Sequence, residues 1–194
     1  MTHLFSRPGK ASVIIDGQFG STGKGLIAAY LAERNKFDVA TTNASANAGH
    51  TTVMGDRKFI TYHLPTTAII QTNCVAYLNA GAIIDPEVLK KEVEEFDIAD
   101  RLVIHPHAAV IYQHHRDAER NAEADTTKTG STQKGCGAAL ADKIMRVGNV
   151  AKNDPYLRQF VNPGFHLGVM LREGARVVVE VPQGFSLGVN SGFY

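Results

Sequence analysis

Apolar and polar positions along the chain follow two periods. Ala11–Asp16 (ASVIID), Val39–Thr42, Val75–Leu78, Arg101–Ile104 and Arg176–Val181 are short, β-branched runs that stop at polar or glycine residues, as buried strands do. Between them the spacing turns helical. Lys24–Asn35 carries Leu26, Ile27, Tyr30 and Leu31 at helical intervals, and Pro86–Phe96 opens on proline with Val88, Leu89 and Val93 facing inward. Tyr112–Ala124 reads as a polar, exposed helix and Ala138–Met145 as a short one. Leu157–Glu173 reads as partly helical, with Gly174 to cap it. Gly55-Asp56 before Lys58–His63 predicts a hairpin. Strands alternating with helices predict an α/β fold, a mostly parallel central sheet with flanking helices.

Composition narrows the partners. In 194 residues, 20 Lys+Arg face 19 Asp+Glu, so a charge-driven grip on nucleic acid or an anionic membrane is not expected. Apolar stretches such as Ala108–Tyr112 are too short to span a bilayer, and Met1–Ala11 has no signal-peptide pattern. Two cysteines, Cys74 and Cys136, give no disulfide framework, which predicts a cytoplasmic protein.

Three segments carry candidate chemistry. Gly17–Gly25 (GQFGSTGKG) lies between a strand and a helix, where glycine-bared N–H groups at a helix start cradle phosphate and Lys24 adds charge. The fold is therefore expected to be P-loop-like. Five residues separate Gly17 from Gly23, and Gly25 replaces the hydroxyl residue after the lysine, so the loop is not a Walker A motif. Asn47–Thr52 (NAGHTT) offers a histidine and two hydroxyls at the same sheet edge, suited to acid catalysis and phosphate binding. Thr129–Gly137 (TGSTQKGCG) again suits an anion, with a mobile surface loop as the competing reading. The histidine pairs His105/His107 and His114/His115 lack a neighbouring cysteine or carboxylate at ligand spacing. They read as structural, on the expectation that adjacent histidines of a helix point apart.

In order, these segments resemble the adenylosuccinate synthetase family. Its Q-W-G-D-E-G-K-G-K is similar to Gln18–Leu26, its N-A-G-H-T to Asn47–Thr51, and its T-T-G-R-G-I-G-P-A-Y-x-D-K-x-x-R to Ser131–Arg146. Its F-E-G-A-Q-G is similar to Val179–Gly184 and its N-G-V-V-I-D-P-x-x-L to Asn79–Leu89. The resemblance implies a ligase that phosphorylates the 6-oxo group of a purine nucleotide and then displaces that phosphate with the aspartate amine. It implies Mg²⁺, with ATP (or dATP or GTP) as phosphoryl donor, and a homodimer. Residue by residue, it places Ser21 at the position of the family's catalytic base and magnesium ligand, and makes His50 the acid that polarises the 6-oxygen. Gly20, Gly23, Lys24, Gly25 and Thr51 would take the triphosphate, and the Gly49 carbonyl would join Ser21 near Mg²⁺. Asn47, Ala48, Ser131, Thr132, Gln133 and Gln183 would hold the purine nucleotide with Ser21, and Arg146 would reach the nucleotide phosphate across the dimer interface.

The departure lies in the first loop, where Ser21-Thr22 stand for the family's Asp-Glu. Serine is a poor base but a smaller neighbour, leaving room for a 2-amino group beside N1. That change and the Ser131–Gly135 loop are similar to the bacteriophage branch, which joins aspartate to dGMP and gives N6-succino-2-amino-dAMP for diaminopurine DNA. Small-molecule partners, dGMP, aspartate and ATP, follow, in the host cytoplasm if the chain is phage-encoded. An ordinary synthetase acting on IMP and a catalytically inactive nucleotide sensor are the alternatives. Family members are longer, so residues 1–194 are expected to be a single nucleotide-binding domain, the N-terminal part of a larger synthetase whose aspartate-binding residues lie beyond Tyr194.

Overall fold

The computed structural model describes residues 5–122 and 132–188. The chain runs β1 (Ala11–Asp16), α1 (Lys24–Arg34), β2 (Val39–Thr42), the hairpin β3 (His50–Met54) and β4 (Arg57–Thr61), then α2 (Thr66–Ile70) and β5 (Val75–Leu78). Next come β6 (Ile83–Ile84), α3 (Pro86–Phe96), β7 (Leu102–Ile104), β8 (Ala109–Val110), α4 (Gln113–Ala122), α5 (Cys136–Met145), α6 (Leu167–Arg172) and β9 (Val177–Gly184).

Strands β1, β9, β2, β5 and β7 lie side by side in that order, all parallel. Helices cover both faces, as a parallel sheet of apolar strands requires. Ala40, Ala76 and Leu78 point into the main core with Leu64, Leu89 and Ile104, while Val39, Tyr77 and Val177 pack on the other face against Phe165, Met170 and Leu171. The expected sheet is present, but its first crossover does not join neighbours. The last strand, β9, slots between β1 and β2, with Val179 opposite both Val13 and Thr41. This puts the carboxyl end of β9 between the segments that follow β1 and β2. Among the described residues β1 is one of the sheet's two edge strands, and Val13 and Ile15 on it are 57% and 70% exposed.

Local chemistry explains the element ends. Asp85 caps α3 by accepting from Glu87 N at 3.1 Å and Val88 N at 3.4 Å, and Pro86 fills the first position. Helix α1 corrects the sequence reading: it buries Gly25, Ala28, Ala29 and Ala32, while Leu26, Ile27 and Tyr30 are exposed. The small face sits close to β3. A Cβ on Gly25 would lie 3.1 Å from Thr51 O and 3.2 Å from His50 Cβ. Close approach of a helix to a strand selects small residues, and the larger apolar ones are turned outward.

Glu180, buried inside β9, accepts from Thr66 N at 2.9 Å and Thr67 N at 2.8 Å, and its burial raises its pKa. Glu92 on α3 likewise receives Tyr62 N, His63 N and Leu64 N, which fixes the chain leaving the β3–β4 hairpin.

Candidate functional site

The carboxyl ends of β1, β2 and β9 enclose a cavity of about 450 Å³. The loop after β1 supplies Gly20, Ser21, Gly23, Lys24 and Gly25, the segment entering β3 supplies Asn47, Ala48, Gly49, His50 and Thr51, and β9 supplies Gln183. Three segments far apart in sequence thus meet at one sheet edge, the position where α/β sheets bind ligands. Phe19, Thr22, Pro182 and Leu187 also line the cavity.

The glycine loop is held by close backbone contact. Gly184 runs directly beneath it: a Cβ there would fall 2.3 Å from both Gln18 O and Gly20 N. Ser186 N donates to Gln18 O at 3.0 Å. Gly20 and Gly23 take φ of 95° and 86°, and Ser21 between them is held at 57°, a conformation L-residues seldom adopt. Among the described residues the other non-glycine positions with positive φ are Asp97, Gln133 and Arg146. Backbone strain of this kind concentrates at functional sites.

Beneath the loop, Asp16 accepts from Gln18 N at 2.7 Å, Thr22 Oγ1 at 2.6 Å and Lys24 Nζ at 3.0 Å. The Thr22 hydrogen bond, reinforced by Gln18 N and Lys24, outweighs burial and holds the Asp16 carboxyl at about 2. Sequence reasoning missed this residue. Its signal was a carboxylate ending an apolar strand just before a lysine-bearing glycine loop.

His50 is half-buried, and its pKa is lowered first by desolvation and then by the Lys24 charge, so the ring is neutral at pH 7 and offers one N–H and one lone pair. Among the described residues, the side-chain oxygens lining this cavity are all neutral, those of Ser21, Thr22, Asn47, Thr51 and Gln183. With the Gly49 carbonyl they form a hard, uncharged donor set. It fits a magnesium ion whose remaining ligands are phosphate oxygens and water.

The second glycine segment behaves differently. Ser131 lies outside the described residues. Thr132 donates to Asn47 Oδ1 at 2.5 Å, which ties the segment to the first cavity. Thr132, Gln133 and Lys134 line a neighbouring cavity of about 470 Å³ with Arg116 and Arg120. At the start of α5, however, Gly135 N and Gly137 N donate to the Glu119 carboxylate of α4 at 2.9 and 2.7 Å. The N–H groups read from sequence as an anion cradle therefore already hold a carboxylate of the same chain. Arg146 ends α5 in a left-handed conformation and is exposed, amid exposed Ile144, Met145 and Val147. It lines neither cavity.

His114 and His115 do not point apart. Their ring centroids are 3.9 Å apart, and with Asp142 they form the one metal-ligand-like group among the described residues. His115 Nδ1 accepts from Tyr112 N at 2.9 Å, so its proton sits on Nε2, which faces Asp142 Oδ2 at 3.2 Å. A neutral imidazole engaged at both nitrogens in this way has no lone pair left for a metal. The helix geometry expected for the pair was wrong, and the hydrogen bonds give the structural role.

The family model described as adenylosuccinate synthetase matches residues 13–160. The chain belongs to the adenylosuccinate synthetase family. The N6-succino-2-amino-2'-deoxyadenylate synthase of Salmonella phage PMBT28 is 39% identical over 208 residues, a match that covers 95% of this chain and 55% of that relative. The adenylosuccinate synthetase of Thermococcus onnurineus is 34% identical over 190 residues, covering 94% and 55% respectively. Among solved structures, the cyanophage S-2L succinoaminodeoxyadenylate synthetase, bound to dGMP and to dATP as an energy donor, superposes with a TM-score of 0.81 at 33% identity. That match covers 95% of this chain and 54% of that one. The chain spans about half the length of the curated relatives it matches. Against the synthetase signature, the cavity wall keeps the asparagine, histidine and lysine and loses the loop carboxylates, which Ser21 and Thr22 replace.

Proposed function

We propose that this chain is the nucleotide-binding, N-terminal part of a ligase that joins L-aspartate to C6 of dGMP, using ATP (or dATP) and Mg²⁺, and that it gives N6-succino-2-amino-dAMP. The observation that carries the reading is Ser21: a small, neutral side chain on the cavity wall, fixed at φ 57° between two glycines, where the family signature has aspartate. The greater identity to the Salmonella phage synthase than to the Thermococcus synthetase, 39% against 34%, supports the same choice.

In this reading the guanine 6-oxygen attacks the γ-phosphorus, the diphosphate leaves, and the N1 proton passes to solvent water beside the Ser21 hydroxyl. The aspartate amine then adds at C6 and phosphate leaves. Magnesium, when bound, neutralises charge on the triphosphate oxygens. Gly23, Lys24, Gly25 and Thr51 hold those oxygens at the start of α1, where the helix dipole favours anions. Neutral His50 donates its N–H to the 6-oxygen as charge develops there. Ser21 leaves space for the 2-amino group and accepts a hydrogen bond from the N1 side. Asn47, Ala48, Thr132, Gln133 and Gln183 hold the nucleotide, with Ser131. Arg146, remote from its own cavity and set in an apolar patch, serves the site of a second copy, which makes the active form a homodimer.

The test offers dGMP or IMP, with ATP, Mg²⁺ and aspartate, to the full-length protein and identifies products by mass spectrometry. A succino adduct from dGMP and not IMP is expected. An adduct from IMP alone would make this an ordinary synthetase. Nucleotide binding with no adduct from either would make it a sensor.

A further inference from the structure

Asp16 is the last residue of β1, and its side chain is fully buried. It does not line the cavity, yet both side chains it holds there, Thr22 and Lys24, do. Two consequences follow from the donor inventory. Thr22 has one hydroxyl proton and gives it to Asp16 at 2.6 Å, so toward the cavity its oxygen can only accept. The Lys24 ammonium lies 3.0 Å from a buried anion, which fixes its direction and offsets its charge. With no carboxylate on the cavity wall among the described residues, the Asp16 carboxylate balances the Lys24 ammonium in the loop.

The loop's N–H groups serve either form of a polyphosphate, but an accept-only hydroxyl and an offset lysine charge favour one carrying a hydrated cation over a bare one. We propose that Asp16 is a positioning residue that makes the loop's grip on triphosphate depend on the bound metal, by pinning the Thr22 proton and balancing Lys24. This rests on the reading of the glycine loop as a triphosphate site. It goes beyond that reading by naming what sets the metal requirement once the loop carboxylates are gone.

Calorimetric titration of the full-length protein with ATP, once in Mg²⁺ and once in EDTA, tests it alongside Asp16→Asn, Thr22→Val and Thr22→Ser. In Asp16→Asn the Kd for Mg·ATP rises about tenfold, the loss of a charge-assisted contact. The Kd for metal-free ATP is unchanged or lower, because the Lys24 charge that meets the phosphates is no longer offset by a buried carboxylate. Affinity for dGMP does not change. Thr22→Val lowers the same metal-bound to metal-free preference, and Thr22→Ser, which keeps the hydroxyl, restores it. Equal weakening of both forms of ATP, or loss of dGMP binding with them, would mean that Asp16 merely holds the loop together and would overturn the inference. An unchanged preference in Asp16→Asn would overturn it too. If the unaltered protein binds neither form of ATP, the triphosphate reading itself fails, an outcome distinct from a failure of Asp16 alone.

Discussion

Two helices of this chain begin in the same way and end up differently. Both α1 and α5 follow glycine segments, and both start from a glycine in the left-handed region, Gly23 at φ 86° and Gly135 at φ 83°. At α5 the first N–H groups are taken by Glu119 of the preceding helix. At α1 no side chain among the described residues is hydrogen-bonded to the first N–H groups, and the nearby carboxylate, Asp16, binds loop side chains and Gln18 N from below. One segment is closed by its own chain. The other faces a cavity with its donors. A glycine-rich stretch before a helix thus identifies N–H groups that need an acceptor, and only tertiary structure says whether the protein supplies it.

The largest effect that would sharpen this contrast comes from paired glycine substitutions. Gly184→Ala pushes a methyl into the backbone at Gln18 and Gly20. It should destabilise the fold by more than about 3 kcal/mol in urea unfolding and abolish triphosphate binding. Gly137→Ala meets only Glu119 Oε1, at 3.3 Å, inside a helix where alanine is favoured, and should change stability by less than about 1 kcal/mol. Equal damage from both would erase the distinction.

His50→Ala should lower turnover about 10²–10⁴-fold, the usual span for a positioned proton donor, with nucleotide affinity largely kept. Steady-state kinetics beside calorimetry separates the two, and retained turnover would remove His50 from the reaction.

Glu119→Gln should cost about 1–2 kcal/mol in melting experiments, as a weakened helix cap does, and leave the Kd for Mg·ATP unchanged. A large change in that Kd would mean that the second segment also handles the triphosphate.

The smallest expected effect is a titration. By NMR the His50 ring should titrate below 6.5, because burial and then Lys24 disfavour its charged form. In Lys24→Met it should move partly back upward, with burial remaining. A downward move would show that Lys24 does not face the ring.

Much of this was legible in the sequence. Ala11–Asp16, Val39–Thr42, Val75–Leu78 and Pro86–Phe96 have the bounds that their apolar runs and the opening Pro86 predict. The first cavity gathers the expected loop, the Asn47–Thr51 segment and Gln183, because each lies at or just beyond the carboxyl end of a parallel strand and such strands share one edge. What was hidden is what depends on distant partners. The place of β9 between β1 and β2 is a pairing across the whole chain. The buried alanine face of α1 is chosen by how near β3 comes. The five-residue helix α2, whose N–H groups rest on Glu180, has too short a period to detect. The closure of α5 depends on Glu119, 16 residues upstream of Gly135.

The open side of β1 has a practical consequence for anyone producing residues 1–194 by themselves. An edge strand with Val13 and Ile15 more than half exposed presents unpaired backbone groups beside an apolar surface, and that combination templates pairing with other strands. In concentrated solution this strip is a point from which chains would be expected to associate. A lysine at position 15 is the natural gatekeeper with which to oppose that association.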